Sequence, residues 1–238
     1  MEKSQKNKKH IYLMPGMAAS SRIFERLHLP DNYILHPLEW IEPHKRENLP
    51  DYAGRIAKEI KHDNPILLGV SFGAIIVQEI AKLIEYDRIV VISSVKSEHE
   101  LPKKMLLARY TYLHRLLPVS IINHLSFWRR FAPTKALRKR IWLYQQYLGL
   151  HSKKYLRWGI DCIVKWKQKS PLPRTLHIHG DKDIVFPIKY IDAPMVVHGG
   201  THIMVVTRYR WLNEQLPKLL ELPTDDNTSP SETTTKSS

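Results

Sequence analysis

Ile66-Leu67-Leu68-Gly69-Val70-Ser71-Phe72-Gly73-Ala74-Ile75-Ile76-Val77 is the stretch whose reading decides the fold. Ile66 to Gly69 has the length and character of a buried strand, and Phe72 to Ile84 is apolar nearly all round, as a centrally packed helix would be. Between them stands Gly69-x-Ser71-x-Gly73. A serine on a strained strand-to-helix turn, with flanking glycines that let the backbones close up, presents its hydroxyl at a helix N-terminus, where the backbone dipole favours developing negative charge. The competing reading is a structural glycine turn without chemistry. The strand before and the helix after favour the nucleophile.

On either side of this turn the first 95 residues alternate short apolar runs with helix-period segments. Residues 11–14, 33–36, 66–69 and 89–93 read as strands, and 21–27, 50–61 and 72–84 as helices. That alternation predicts a parallel sheet with crossover helices. After Ser94 it stops. About 75 residues follow that are rich in Leu, Lys, Arg, Tyr and Trp, and they predict three or four amphipathic helices, with Leu106, Leu107, Tyr110, Leu113 and Leu117 on one face and Tyr155, Ile163 and Trp166 on another. Strands return at 175–178 and 195–197, and a last helix spans 203–220. Residues 223–238, full of Ser, Thr, Pro and Asp, predict a disordered tail. The expected fold is a doubly wound, mainly parallel α/β sheet of about six strands. Its core comprises 1–95 and 172–222, and 96–171 form an inserted helical segment.

A serine hydroxyl needs a histidine base and a carboxylate to hold that histidine. The strand at 175–178 runs into Gly180-Asp181-Lys182-Asp183, and the strand at 195–197 runs into Gly199-Gly200-Thr201-His202. Serine, aspartate and histidine thus follow three strand ends in the order Ser, Asp, His.

On these motifs the chain resembles the α/β-hydrolase superfamily over residues 10 to about 220. The resemblance implies that the second aspartate of His179-Gly180-Asp181-x-Asp183, namely Asp183, orients His202, and that Asp181 shapes its own turn. It implies oxyanion donors at the backbone amides of Phe72 and Met17, although Pro15-Gly16 stands where the family often has His-Gly. It makes 96–171 a helical lid, suggests strand order 2-1-3-4-5-6 without the family's two leading antiparallel strands, and points to hydrolysis of an ester, thioester or related acyl bond. Amide or carbon–carbon hydrolysis and lyase chemistry stay open on the same three residues.

Charge sharpens the picture. Of a net +14, the segment from Lys96 to Ser170 carries 17 Lys and Arg against three acids, and the rest of the chain balances. A cationic insert on a neutral body suits an anionic small-molecule substrate or peripheral contact with an anionic membrane, or is simply a solvated face. A non-catalytic docking protein is the alternative class. Nucleic acid has only charge in its favour. Arg129-Arg130 and Arg138-Lys139-Arg140 are the candidate anion contacts, and Trp128, Trp142, Trp158 and Trp166 the candidate pocket aromatics. No His/Cys/Glu spacing resembles a metal site and no phosphate or dinucleotide loop occurs, so neither cofactor nor metal is expected; His179 and His198 read as structural. The run 11–17 imitates a signal peptide, but Pro15-Gly16 interrupts it and it serves better as the first strand and oxyanion loop. With Cys162 as the single cysteine, a cytoplasmic setting is expected. Oligomeric state is not legible.

Overall fold

A computed structural model describes residues 8–111 and 133–223. Six strands form one sheet: β1 (Lys9–Met14), β2 (Tyr33–Pro37), β3 (Ile66–Val70), β4 (Arg88–Ile92), β5 (Thr175–Gly180) and β6 (Met195–Val197). Their order is β2-β1-β3-β4-β5-β6 and every pairing is parallel, so the sheet is wholly rather than mainly parallel. The order reverses between β1 and β3, and the cleft outside the strand C-termini at that point is where such sheets bind ligands.

The apolar runs are explained by two-sided burial. Tyr12, Met14, Leu67, Ile89 and Val91 point to one core, while Ile11, Leu13, Ile66, Leu68, Val70, Val90 and Ile92 point to the other. Side chains alternate across a strand, so a strand covered on both faces must be apolar at consecutive positions.

The first core is covered by α1 (Leu49–Ala57), α2 (Phe72–Ile80) and part of the helical segment. The Asn48 side chain caps α1 by accepting from the Asp51 amide at 2.8 Å, so the helix begins at Leu49, one residue before Pro50. Ile75, Ile76, Val77 and Ile80 of α2 are fully buried, each worth roughly 1.5–3 kcal/mol relative to exposure.

Among the described residues between β4 and β5 lie α3 (Lys103–Thr111), α4 (Lys135–Gln146) and α5 (Lys153–Lys165). Tyr155, Ile163 and Trp166 are buried as the periodicity predicts. Of the leucine face expected on α3, Leu106 is half-buried against the first core, but Leu107 and Tyr110 are 60% and 77% exposed. What seats α3 is Arg109, whose guanidinium donates to the Val164 and Trp166 carbonyls and pairs with Glu98. Leu113, Leu117, Trp128, Arg129-Arg130 and the tail from 224 lie outside the described residues.

The second core is closed by α6 (Met204–Thr207) and α7 (Tyr209–Leu220). The single helix expected at 203–220 is broken at Arg208, which leaves helical geometry and donates to the Gly199 carbonyl at 3.1 Å. The helix expected at 21–27 is a 3-10 turn over Ser21–Phe24. Among the described residues no helix is long and apolar enough to cross a membrane.

Candidate active site

Ser71 sits at the end of β3 with φ 53° and ψ −123°, a conformation that costs about 1–3 kcal/mol in a non-glycine residue and holds only where its surroundings enforce it. Two backbone anchors do so: the Ser71 amide donates to Ile92 at 2.9 Å, and the Ser94 hydroxyl donates to the Ser71 carbonyl at 2.7 Å. The flanking glycines are there for space. A Cβ at Gly69 would collide with the Ala74 backbone, and one at Gly73 with the Pro15 and Met14 carbonyls.

The three strand-end residues converge. His202 Nε2 lies 2.9 Å from Ser71 Oγ, and His202 Nδ1 lies 2.9 Å from Asp183 Oδ2. Asp183 is 4% exposed; its other oxygen accepts the Val185 and Phe186 amides at 2.8 and 3.0 Å. Those two amides hold the carboxylate in place and offset its desolvation. Asp181 does something else. It accepts from the Gly199 amide at 2.7 Å and stands 3.4 Å from the exposed His198, so it ties the β5 loop to the β6 loop rather than capping only its own turn.

His179, expected to be merely structural, touches the site. Its Nε2 donates to the Phe186 carbonyl at 2.8 Å and approaches Asp183 Oδ2 at 3.6 Å. Burial holds its basicity below the ordinary imidazole value. Behind it, His177 Nε2 donates to the Ser94 carbonyl at 3.0 Å, and burial, then His179 and Lys96, push its pKa down to about 3. Both are therefore neutral Nε2–H tautomers, and the Nδ1 atoms of both are buried with no partner among the described residues. Spacing does not signal this pair; two histidines at alternate positions of one strand are legible only as a shared face.

Met17 and Phe72 flank the serine from two elements. The loop after β1 is braced on three sides: Trp40 Nε1 donates to the Gly16 carbonyl at 2.9 Å, the Ala18 amide reaches the Tyr155 hydroxyl at 3.4 Å, and Ala19 bridges Leu148. The last contact is extended by Ser20 N to Tyr147 O and Gly149 N to Ala18 O, both 2.8 Å. Met17 and the Phe72 ring pack on Gly159 of α5, where an added Cβ would lie 3.1 Å from Phe72 Cε1. Among the described residues the Met17 amide has no hydrogen-bond acceptor. None of these braces is legible from the sequence, because each joins residues more than 20 positions apart.

A cleft of about 600 Å³, open mouth included, reaches Ser71 and His202. Gly16 to Ala19, Ile23, Val70, Tyr147, Ile203, Val205 and Val206 complete its described lining, which contains neither Lys nor Arg. Trp142, Trp158 and Trp166 do not line it, and Trp128 lies outside the described residues. Trp166 is buried and donates to Glu79 at 2.7 Å, Trp158 donates to the Glu47 carbonyl at 2.8 Å, and Trp142 is exposed. Lys103, Lys104, Lys153, Lys154 and Arg157 face solvent.

No protein-family model and no curated protein matches the chain. Solved structures do. A carboxylesterase of the ammonia-oxidizing thaumarchaeon Nitrososphaera gargenis superposes with TM-score 0.67 at 15% identity, over 90% of each chain. A hydrolase from Pseudomonas aeruginosa gives 0.64 at 14% identity over 91% of each chain, and a thermophilic esterase from Thermogutta terrifontis 0.63 at 13% over 90% of each. With the all-parallel six-stranded sheet and its flanking helices, these likenesses establish that the chain has the α/β-hydrolase fold.

Proposed function

We propose that the protein is a serine hydrolase that cleaves an ester, thioester or related acyl bond through an acyl-enzyme. The observation that carries this reading is the unbroken Ser71–His202–Asp183 chain, with 2.9 Å at both links. Asp183 accepts a hydrogen bond from His202 Nδ1–H and so holds the tautomer whose Nε2 is unprotonated and aimed at Ser71 Oγ. His202 takes the hydroxyl proton as Oγ attacks the carbonyl and returns it to the leaving group; water then repeats the cycle on the acyl-enzyme. The Phe72 and Met17 amides would receive the oxyanion, a contribution of roughly 3–4 kcal/mol per donor in comparable sites. The apolar cleft lining suits an uncharged acyl portion. The cationic 96–171 segment, acting as a lid, would attract an anionic group on the substrate through its long-range field. Esterases and hydrolases among the structural neighbours agree with this chemistry. The setting we infer is cytoplasmic.

The test needs no substrate. Wild type, Ser71→Ala and His202→Ala are incubated with a fluorophosphonate and weighed intact. One adduct on wild type, none on Ser71→Ala and greatly slowed labelling of His202→Ala are expected. A folded wild type that stays unlabelled refutes the activated serine, and salt-sensitive vesicle binding would then become the leading property to measure.

A further inference from the structure

We propose that His10, His36 and His62 form a binding site for a borderline divalent transition-metal cation of the Zn2+ class, separate from the serine site. In the parallel register Tyr12 pairs with His36 and His10 with Ile34, so His10, Tyr12 and His36 share one face of the β1–β2 edge. His62, on the segment after α1, folds over that face. One ring nitrogen from each histidine lies within 4.8 Å of the other two. His10 Nδ1 and His36 Nε2 are 2.8 Å apart, and the His10 and His62 rings stack with centroids 3.5 Å apart.

A second observation points to a ligand role. The Tyr12 hydroxyl oxygen accepts the Lys61 amide at 2.9 Å and lies 2.7 Å from His62 Nδ1; with Nδ1–H donating to that oxygen, His62 Nε2 carries the lone pair that a metal takes. Metal-bound imidazoles are held in this way by a group on the second nitrogen. Neighbouring cations are turned elsewhere: Lys61 donates to the Lys58 carbonyl, Lys9 lies near Asp87 and Glu221, and Arg55 pairs with Glu47. Lys8 remains beside His10, a charge that opposes any cation there and that the three imidazole ligands must outweigh. An all-imidazole set lacks the carboxylates that Ca2+ and Mg2+ require and suits Zn2+, Ni2+ or Cu2+.

The adjustment required is local. Zn–N bonds of about 2.0–2.1 Å place tetrahedral ligand nitrogens roughly 3.3–3.4 Å apart, so the His10–His36 contact must open by about half an ångström. The proton between these two nitrogens moves to the other nitrogen of its own ring, so both imidazoles stay neutral and no co-reactant is needed. His62 pivots out of its stack about the Tyr12 hydrogen bond. A fourth position remains for water. The three ligands stand 26 residues apart in sequence, outside any short metal motif, which is why the sequence carried no such expectation.

Chelator-treated full-length protein, titrated with Zn2+ alone by calorimetry near neutral pH, is expected to bind one equivalent and to melt at a higher temperature with Zn2+ present. Co2+ should give the visible absorption of a four-coordinate site. His36→Ala and the loop variant His62→Gln should each lose that equivalent, Tyr12→Phe should weaken it about tenfold, and His202→Ala should keep it. Equal binding by wild type and both His variants, or loss in His202→Ala, overturns the site. A stack that binds no Zn2+ in folded wild type overturns it equally.

Discussion

The molecule holds two clusters of imidazoles that differ in what faces the rings. At the C-terminal end of the sheet, His202 stands between a carboxylate and a hydroxyl, with Asp183 on Nδ1 and Ser71 on Nε2. At the β1–β2 edge, His10 faces His36 and stacks on His62, with only the Tyr12 hydroxyl as a different partner. A carboxylate fixes one tautomer and stabilises the cation that forms when the ring takes a proton, so the first arrangement suits proton transfer, as the proposed mechanism requires. Three rings facing one another without a carboxylate share no such bias, and their lone pairs suit a cation. Side-chain chemistry is the same in both places; the partner decides its use.

The largest effect that would break this contrast is removal of the base. His202→Ala is expected to lower kcat toward a reactive acyl ester by about a million-fold, with His36→Ala leaving turnover near wild type; steady-state kinetics on a substrate panel check both. Asp183→Asn keeps the shape but favours the wrong tautomer, and a loss of about ten-thousand-fold is expected. A loss under tenfold would remove Asp183 from the mechanism. Gly159→Val, which drives a side chain into Phe72 and Met17, is expected to lower kcat while the fluorophosphonate adduct still forms on Ser71, because it disturbs the proposed oxyanion donors and not the nucleophile. Labelling rate and kcat measured together separate the two.

A smaller effect comes from the buried pair behind the site. His177 and His179 are held below the ordinary imidazole pKa of about 6.5, so the unfolded chain binds more protons than the folded one as pH falls through that value. The stability they allow is therefore present above about pH 6.5 and is lost progressively as pH drops toward the folded value of about 3 for His177. Denaturant melts at a series of pH values should show this slope, and His177→Asn should flatten it. An unchanged slope would mean that other groups govern acid unfolding.

Much of the first cluster was legible beforehand. Ser71, Asp183 and His202 each follow an apolar strand, and an all-parallel sheet gathers strand ends at one edge, so strand order alone brings them together. The metal cluster was not legible, because His10, His36 and His62 are 26 residues apart, far outside any short metal motif, and meet only through the β1–β2 register and the path of the chain after α1. The α3 leucine face misled for a related reason: a short helix is seated by whatever makes the best contact, here the three interactions of Arg109, and periodicity does not report a buried guanidinium. Trp158 and Trp166 likewise spend their indole N–H groups on Glu47 and Glu79 and do not line the cleft at Ser71.

The amino-acid sequence by itself determined the element order, the two-sided burial of the strands and the Gly-x-Ser-x-Gly turn, because these depend on local periodicity and on which residues tolerate close backbone approach. Only the tertiary structure decided which hydrogen bonds Asp181, His179 and Tyr147 make, and that three distant histidines share one face. Those outcomes depend on contacts between residues far apart in the chain, and pairwise geometry across a fold is not written in the composition or spacing of any one segment.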